Sequence, residues 1–277
     1  MNSELLPADA SASEVPAAGA PIFALHGTAS TSSQWLKLRE ACHEHREFIS
    51  PELPGYGTAL EGSGPGLDSR LTPLLPVFLA MHTPVHLVGH SFGGALALRL
   101  AEIHPDRVLS VSIYEPTSLG VFQDISRSDD RSLLRKMQEL GSHMACAQPR
   151  DAMARFIDFW MGPGNWDALG VRAQDHLAQY ATIAARDFQD GLHEAVEACA
   201  RLPFAGPVLL LYGDRTIDVT RRVCQSLAAS LPCAALECLA DSGHMGPIQN
   251  ADRVNSAILA HIEAVERTVA TPVLQQG

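Results

Sequence analysis

The 277-residue chain contains no apolar run approaching the roughly 20 residues that a bilayer-spanning helix requires, so no membrane partner is expected. Basic residues are scarce: 20 Lys and Arg stand against 31 Asp and Glu, a formal net charge of −11. Nucleic acid and anionic membrane both call for a basic face, and this balance argues against either as the main partner. Paired cysteines are absent too. Cys42, Cys146, Cys199, Cys224, Cys233 and Cys238 are scattered, with no C-x-x-C and no histidine at zinc-finger spacing. Neither a metal site nor a disulfide framework is suggested, and free thiols in a reducing, cytoplasmic setting are expected. Residues 1–20 lack the basic start and apolar stretch of a signal peptide. Their Ala, Ser, Pro and acidic content reads as a disordered or draped arm.

What remains is an ordinary globular composition, 46% apolar and 18% charged, long enough for a substantial core. Strand signals fall at Pro21–Leu25, Glu47–Ser50, Pro84–Gly89, Val108–Tyr114, Pro207–Tyr212 and Ala235–Leu239. Helical patterns lie between them: Gln34–His45 behind a Thr31-Ser32-Ser33 cap, about Leu71–Met81, the stretch after Ser91, Thr220–Leu231 and Asn250–Glu266. Such alternation implies a mostly parallel sheet with right-handed crossovers. From Thr117 to Leu202 the pattern is helical throughout, broken by Gly162-Pro163-Gly164. An insert between two strands belongs over their C-terminal ends, where open α/β sheets bind ligands. The expected organisation is an arm over 1–20, a core over 21–116 and 203–277, and a helical cap over 117–202.

One pentapeptide organises the chain. Gly89-His90-Ser91-Phe92-Gly93 fits G-x-S-x-G, with an apolar strand before it and an Ala- and Leu-rich helix after it. In that context the serine sits on a sharp turn with its hydroxyl exposed, and the following helix points its positive end at it. Three other motifs close strands in order: His26-Gly27, then Leu53-Pro54-Gly55-Tyr56-Gly57, and last Gly243-His244.

In these four motifs and their order, from Pro21 to about Ile262, the chain resembles the α/β-hydrolase superfamily, and the insert looks like that family's cap. The resemblance implies a three-layer α/β fold. Only 20 residues precede the His-Gly strand, where the family usually has a β-hairpin, so a trimmed sheet of about six strands is expected. Ser91 would then be the nucleophile and His244 the base, an imidazole being suited to proton transfer near neutrality. The backbone N–H groups of Thr28 and Phe92 would form the oxyanion hole. His26, Gly27, His90, Trp160 and Met245 would line the substrate pocket.

The acid is less plainly written. The family's usual carboxylate lies three residues after the glycine that ends the fifth strand, and that position holds Thr216. Glu115, at the end of the neighbouring strand, is the preferred replacement, since some branches place their acid there. Asp218 and Asp214 are alternatives, as is a relay with no carboxylate. The resemblance implies a serine hydrolase acting on an ester-like bond of a small, largely apolar substrate, of carboxylesterase or lactonase type. Thioesterase, C–C bond hydrolase and perhydrolase chemistries share these residues, and a non-catalytic ligand-binding protein of the same fold is a separate reading. Neither cofactor nor metal is called for, and the sequence leaves room for a homo-oligomer.

Overall fold

The computed structural model describes residues 19–42, 46–59, 64–123, 128–193 and 204–270. The expected arm therefore lies outside the described residues, apart from Gly19 and Ala20, as do the end of the insert, Cys199 and the C-terminal tail. Six strands form one parallel sheet: β1 (Ile22–Leu25), β2 (Phe48–Ile49), β3 (Val85–His90), β4 (Val108–Tyr114), β5 (Val208–Gly213) and β6 (Ala234–Leu239). Their order is β2-β1-β3-β4-β5-β6. The chain runs outward from β1 to β2, then returns to lay β3 on the other side of β1. The C-terminal ends of β1 and β3 therefore flank the point where strand order reverses, the usual ligand crevice of such sheets.

Alternation along the strands sorts the core onto two faces. Ile22, Ala24, Leu209 and Leu211 share one face with Trp35, Leu38, Val254, Ile258 and Ile262. These side chains come from the 3-10 turn at Ser32–Trp35, from α1 (Leu36–Ala41) and from the long C-terminal helix, here α12 (Ala251–Ala270). Phe23, Leu25, Val208 and Leu210 face the other way. There they meet α2 (Leu67–Leu71), α3 (Leu75–Leu79), α4 (Phe92–Ile103) and α10 (Asp218–Ser230). The period of two in the strands thus makes a three-layer sandwich.

Between β4 and β5 lie α5 (Ser128–Cys146), α6 (Pro149–Met161), α7 (Asn165–Ala168), α8 (Val171–Ala178) and α9 (Ala181–His193). The short helix α11 (Gly246–Gln249) precedes α12.

Two expected helices come out differently. The pattern over Leu71–Met81 is helical only over α3, since α2 lies before it and ends at Leu71, Pro73 lacks a backbone N–H, and Pro76 suits the first turn of a new helix. The stretch Gln34–His45 begins as a 3-10 turn and is helical to Ala41, with 43–45 outside the described residues. The Thr31 hydroxyl meets Ser33 Oγ at 2.6 Å and does not cap the helix.

Candidate active site

Ser91 follows directly on β3 and precedes α4, with φ +53° and ψ −120°. A non-glycine residue in that region is strained, and surrounding structure must hold it there. The glycines permit the turn by letting backbones touch. A Cβ on Gly89 would lie 2.6 Å from Gly94 Cα, and one on Gly93 would run into the carbonyl oxygens of His26 and Leu25. Twelve residues of α4 aim their N-terminus at the serine, favouring negative charge beside it.

Glu115 is strained in the same sense, with φ +46°, one residue past the end of β4. Its N–H donates to Leu211 O at 2.9 Å, and its carboxylate turns toward the end of β5. Oε1 accepts the Gly213 N–H at 2.9 Å, while Oε2 accepts the Thr216 hydroxyl at 2.9 Å. His244 Nδ1 lies 2.8 Å from the same Oε2, and His244 Nε2 lies 3.2 Å from Ser91 Oγ. All three side chains are buried. A hydroxyl, an imidazole and a carboxylate linked in this order can move a proton off the hydroxyl while the carboxylate faces the charge that forms on the ring.

The other candidate acids sit elsewhere. Asp218 opens α10, exposed and paired with Arg221 at 2.8 Å. Asp214 accepts the Ser242 N–H at 3.2 Å. Neither has a hydrogen bond to His244 among the described residues. Thr216 has a part that the sequence did not suggest, since its hydroxyl binds the carboxylate and not the imidazole.

His90 stands behind His244. Burial holds its pKa well below the ordinary histidine value, so the ring is neutral. Its Nε2–H donates to the His244 carbonyl at 2.9 Å, and its Nδ1 lies 3.2 Å from the Gln34 side-chain oxygen. That oxygen accepts the Gly27 N–H at 3.2 Å. With its one proton on Nε2, the neutral His90 ring has none on Nδ1 to give that oxygen, so Gln34 holds the His-Gly turn through the Gly27 N–H alone. Nothing in its sequence position marked it.

His26 Nδ1–H donates to Gly27 O at 2.8 Å, and Nε2 accepts the Leu53 N–H at 3.0 Å, which joins the first two glycine motifs. Among the described residues, the N–H groups of Thr28 and Phe92 donate to no protein acceptor. Trp160, at the end of α6, lies flat over His244, with ring centroids 4.7 Å apart and planes at 21°. Met245 is half-buried at the N-terminus of α11.

A second polar cluster borders the site. Asp187 of α9 is buried and accepts from Tyr56, Thr28 and Arg70. Burial pushes its carboxyl up to about 6, against the pull of those three donors. No group of three or more His, Cys, Asp or Glu side chains is placed to hold a metal ion among the described residues. None of the described helices is long and apolar enough to cross a membrane.

A profile of the Alpha/beta hydrolase family matches residues 22–257. The chain is 26% identical over 253 residues to the dihydrolipoyllysine-residue acetyltransferase component of the acetoin cleaving system of Pseudomonas putida, covering 88% of this chain and 64% of that protein. It thus spans just under two thirds of that relative. It is also 26% identical over 263 residues to the magnesium-chelatase 30 kDa subunit of Rhodobacter capsulatus, covering 90% and 88% of the two chains. Among solved structures, MenH from S. aureus superposes with a TM-score of 0.70 at 17% identity, covering 91% of this chain and 96% of the other.

Proposed function

The chain belongs to the Alpha/beta hydrolase family, and on that premise we propose that it is a serine hydrolase working through an acyl-enzyme on Ser91. The observation that carries this reading is the continuous relay from Ser91 Oγ through His244 to Glu115, with contacts of 3.2 and 2.8 Å.

His244 Nε2 takes the Ser91 proton as Oγ attacks a carbonyl carbon. The carbonyl π electrons move onto oxygen, giving a tetrahedral oxyanion between the Phe92 and Thr28 N–H groups. Such donors are fixed before reaction and lower the barrier without rearranging. Collapse re-forms the carbonyl and breaks the bond to the leaving group, which receives its proton from His244. Water then repeats the sequence on the acyl-serine and releases the acid. Glu115 Oε2 accepts the Nδ1–H, which holds that tautomer and places the carboxylate beside the imidazolium as it forms.

The proposed substrate is a small, largely apolar ester or lactone. Phe156, Phe159, Trp160 and Phe188 are in ring contact beside His244, which suits an apolar acyl group. Thioester, C–C and perhydrolase chemistry would use the same relay. The threonine at 216 favours a non-catalytic role, and Glu115 at 2.8 Å from His244 weighs against it. The helices between β4 and β5 are proposed as a cap, since Trp160 of α6 covers the histidine.

Turnover of short-chain p-nitrophenyl esters, a lactone and an acyl thioester by the wild type and Ser91→Ala tests the reading. Saturable turnover by the wild type, lost in Ser91→Ala, is expected. Equal rates for the two proteins would remove it.

A further inference from the structure

Asp187 lies on α9, far in sequence from everything it touches. Its Oδ2 accepts the Tyr56 hydroxyl at 2.6 Å and the Thr28 hydroxyl at 3.1 Å. Its Oδ1 takes Arg70 Nη2. Tyr56 comes from the Pro-Gly-Tyr-Gly turn, Thr28 from the turn after β1, and Arg70 from α2. One carboxylate thus joins three separate parts of the core to the helical segment between β4 and β5.

The geometry points to Asp187 as a positioning residue that fixes the Thr28 turn for catalysis, an inference that rests on the hydrolase reading above. An N–H that stabilises an oxyanion must be held within a fraction of an ångström before the reaction. The Thr28 turn needs such support, because the next residue, Ala29, has φ +57°, an uncommon conformation for a residue with a Cβ. Gln34 grips the turn from one side through the Gly27 N–H. Asp187 grips it from the other through the Thr28 hydroxyl.

Asp187 is suited to this because it is itself immobilised. It is 1% exposed and already bound by a buried tyrosine and a buried arginine. Arg70 is wholly buried, its guanidinium lies 5.8 Å from the Phe92 ring centre, and its Nε and Nη1 have no hydrogen-bond partner among the described residues. The Arg70–Asp187 pair therefore sits beside the residues proposed to supply both oxyanion donors, Phe92 and Thr28. A shift of α9 would move the Thr28 turn with it, so the helical segment would take part in forming the hole as well as covering it.

The test is steady-state hydrolysis of p-nitrophenyl butyrate by Thr28→Val, Thr28→Ser, Asp187→Asn and the Thr28→Val/Asp187→Asn double variant. Thr28→Val keeps the backbone N–H and loses only the hydroxyl. Its kcat should fall about tenfold with KM within about twofold, and Thr28→Ser should restore most of that loss. The double variant should be no slower than Asp187→Asn alone, because both changes cut the same link. Wild-type kcat in Thr28→Val, or losses that multiply in the double variant, would overturn the inference and leave the hydrolase reading standing. If Asp187→Asn fails to fold, the Val and Ser pair at Thr28 decides alone. A wild type that turns over no ester removes the hydrolase reading, and this inference falls with it.

Discussion

Thr216 Oγ1 donates a hydrogen bond to Glu115 Oε2 at 2.9 Å, across the gap between the ends of β5 and β4. The strand end where related chains usually carry an acid here carries a donor to an acid on the neighbouring strand. Gly213 N–H adds a second donor at 2.9 Å, so the carboxylate is oriented from the β5 side and presented to His244. Thr216→Val should lower kcat about tenfold and leave KM nearly unchanged, because only the placement of Glu115 is disturbed. Thr216→Asp should do worse, since two carboxylates would share one site and one would take up a proton. Equal kcat in the wild type and Thr216→Asp would show that position 216 can itself supply the acid.

Glu115→Gln keeps the shape of the side chain and removes its charge. On the proposed mechanism kcat falls by roughly three to four orders of magnitude, because the histidine loses both its tautomer and its counter-charge. Asp214→Asn and Asp218→Asn should stay within about threefold of the wild type, as neither side chain bonds to His244 among the described residues. Near-normal turnover by Glu115→Gln would send the acid assignment elsewhere.

Trp160 covers His244 with its ring face at 4.7 Å and meets Phe159 edge-on at 5.1 Å. Trp160→Ala removes both contacts and should cost about 3–5 kcal/mol of stability, with kcat at least tenfold down. Trp160→Phe keeps an aromatic face over the imidazole and should retain most activity. Thermal unfolding and ester turnover on the two variants separate packing from catalysis. If Ala and Phe behave alike, the stacking contributes nothing.

Gly93 allows α4 to lie against β1, since a Cβ there would run into the His26 and Leu25 carbonyl oxygens. Backbone cannot give way as a flexible side chain can. Gly93→Ala should therefore destabilise the protein by about 1–3 kcal/mol and reduce turnover by moving Ser91 away from Thr28. A melting temperature and activity equal to the wild type would contradict this packing account.

Acid should act on stability through His86. This residue is buried, its Nδ1 lies 2.7 Å from Ser110 Oγ, and burial foremost lowers its pKa to about 4 from 6.5. Glu266 lies 3.4 Å from Nε2 and pulls the other way, but it is already bound to Arg46 by two contacts of 2.8 Å, and Arg46 and His261 add to the lowering. Between pH 6.5 and 4 the unfolded chain binds the proton and the folded chain does not. Stability from this group is full above pH 6.5 and is lost as pH falls through 4, on the order of 3 kcal/mol in all. Asp187 acts oppositely. Its carboxyl, raised to about 6 from 3.8, makes the folded chain bind a proton first and adds stability on acidification. Comparing His86→Gln with the wild type cancels the Asp187 contribution. The variant should gain on the wild type as pH falls from 7 to 5, and parallel melting curves would contradict the assignment.

The sheet was legible because its signals are local. β-branched runs, Gly and Pro stops and the switch to helical period between β4 and β5 can all be seen within short windows. The apolar period across Pro73 and Pro76 suggests one helix over Leu71–Met81, where only the shorter α3 forms. Ser91 and His244 could be named because each sits in a short motif at a strand end. Glu115 could only be ranked above Asp214 and Asp218, since the choice depends on how β4 and β5 lie side by side. Asp187, Arg70 and Gln34 gave no signal. A buried arginine on a short helix looks like a solvated one, and its partner lies 117 positions away.

Ser91 is proposed as a nucleophile activated by His244 and Glu115. Intact-mass measurement after treatment with a fluorophosphonate tests it most directly, because the reagent reports on the serine without requiring the natural substrate. One adduct is expected on the wild type, located at Ser91, none on Ser91→Ala, and much slower labelling of Glu115→Gln. A wild type that takes no adduct, or a Ser91→Ala variant labelled as fast as the wild type, would contradict it.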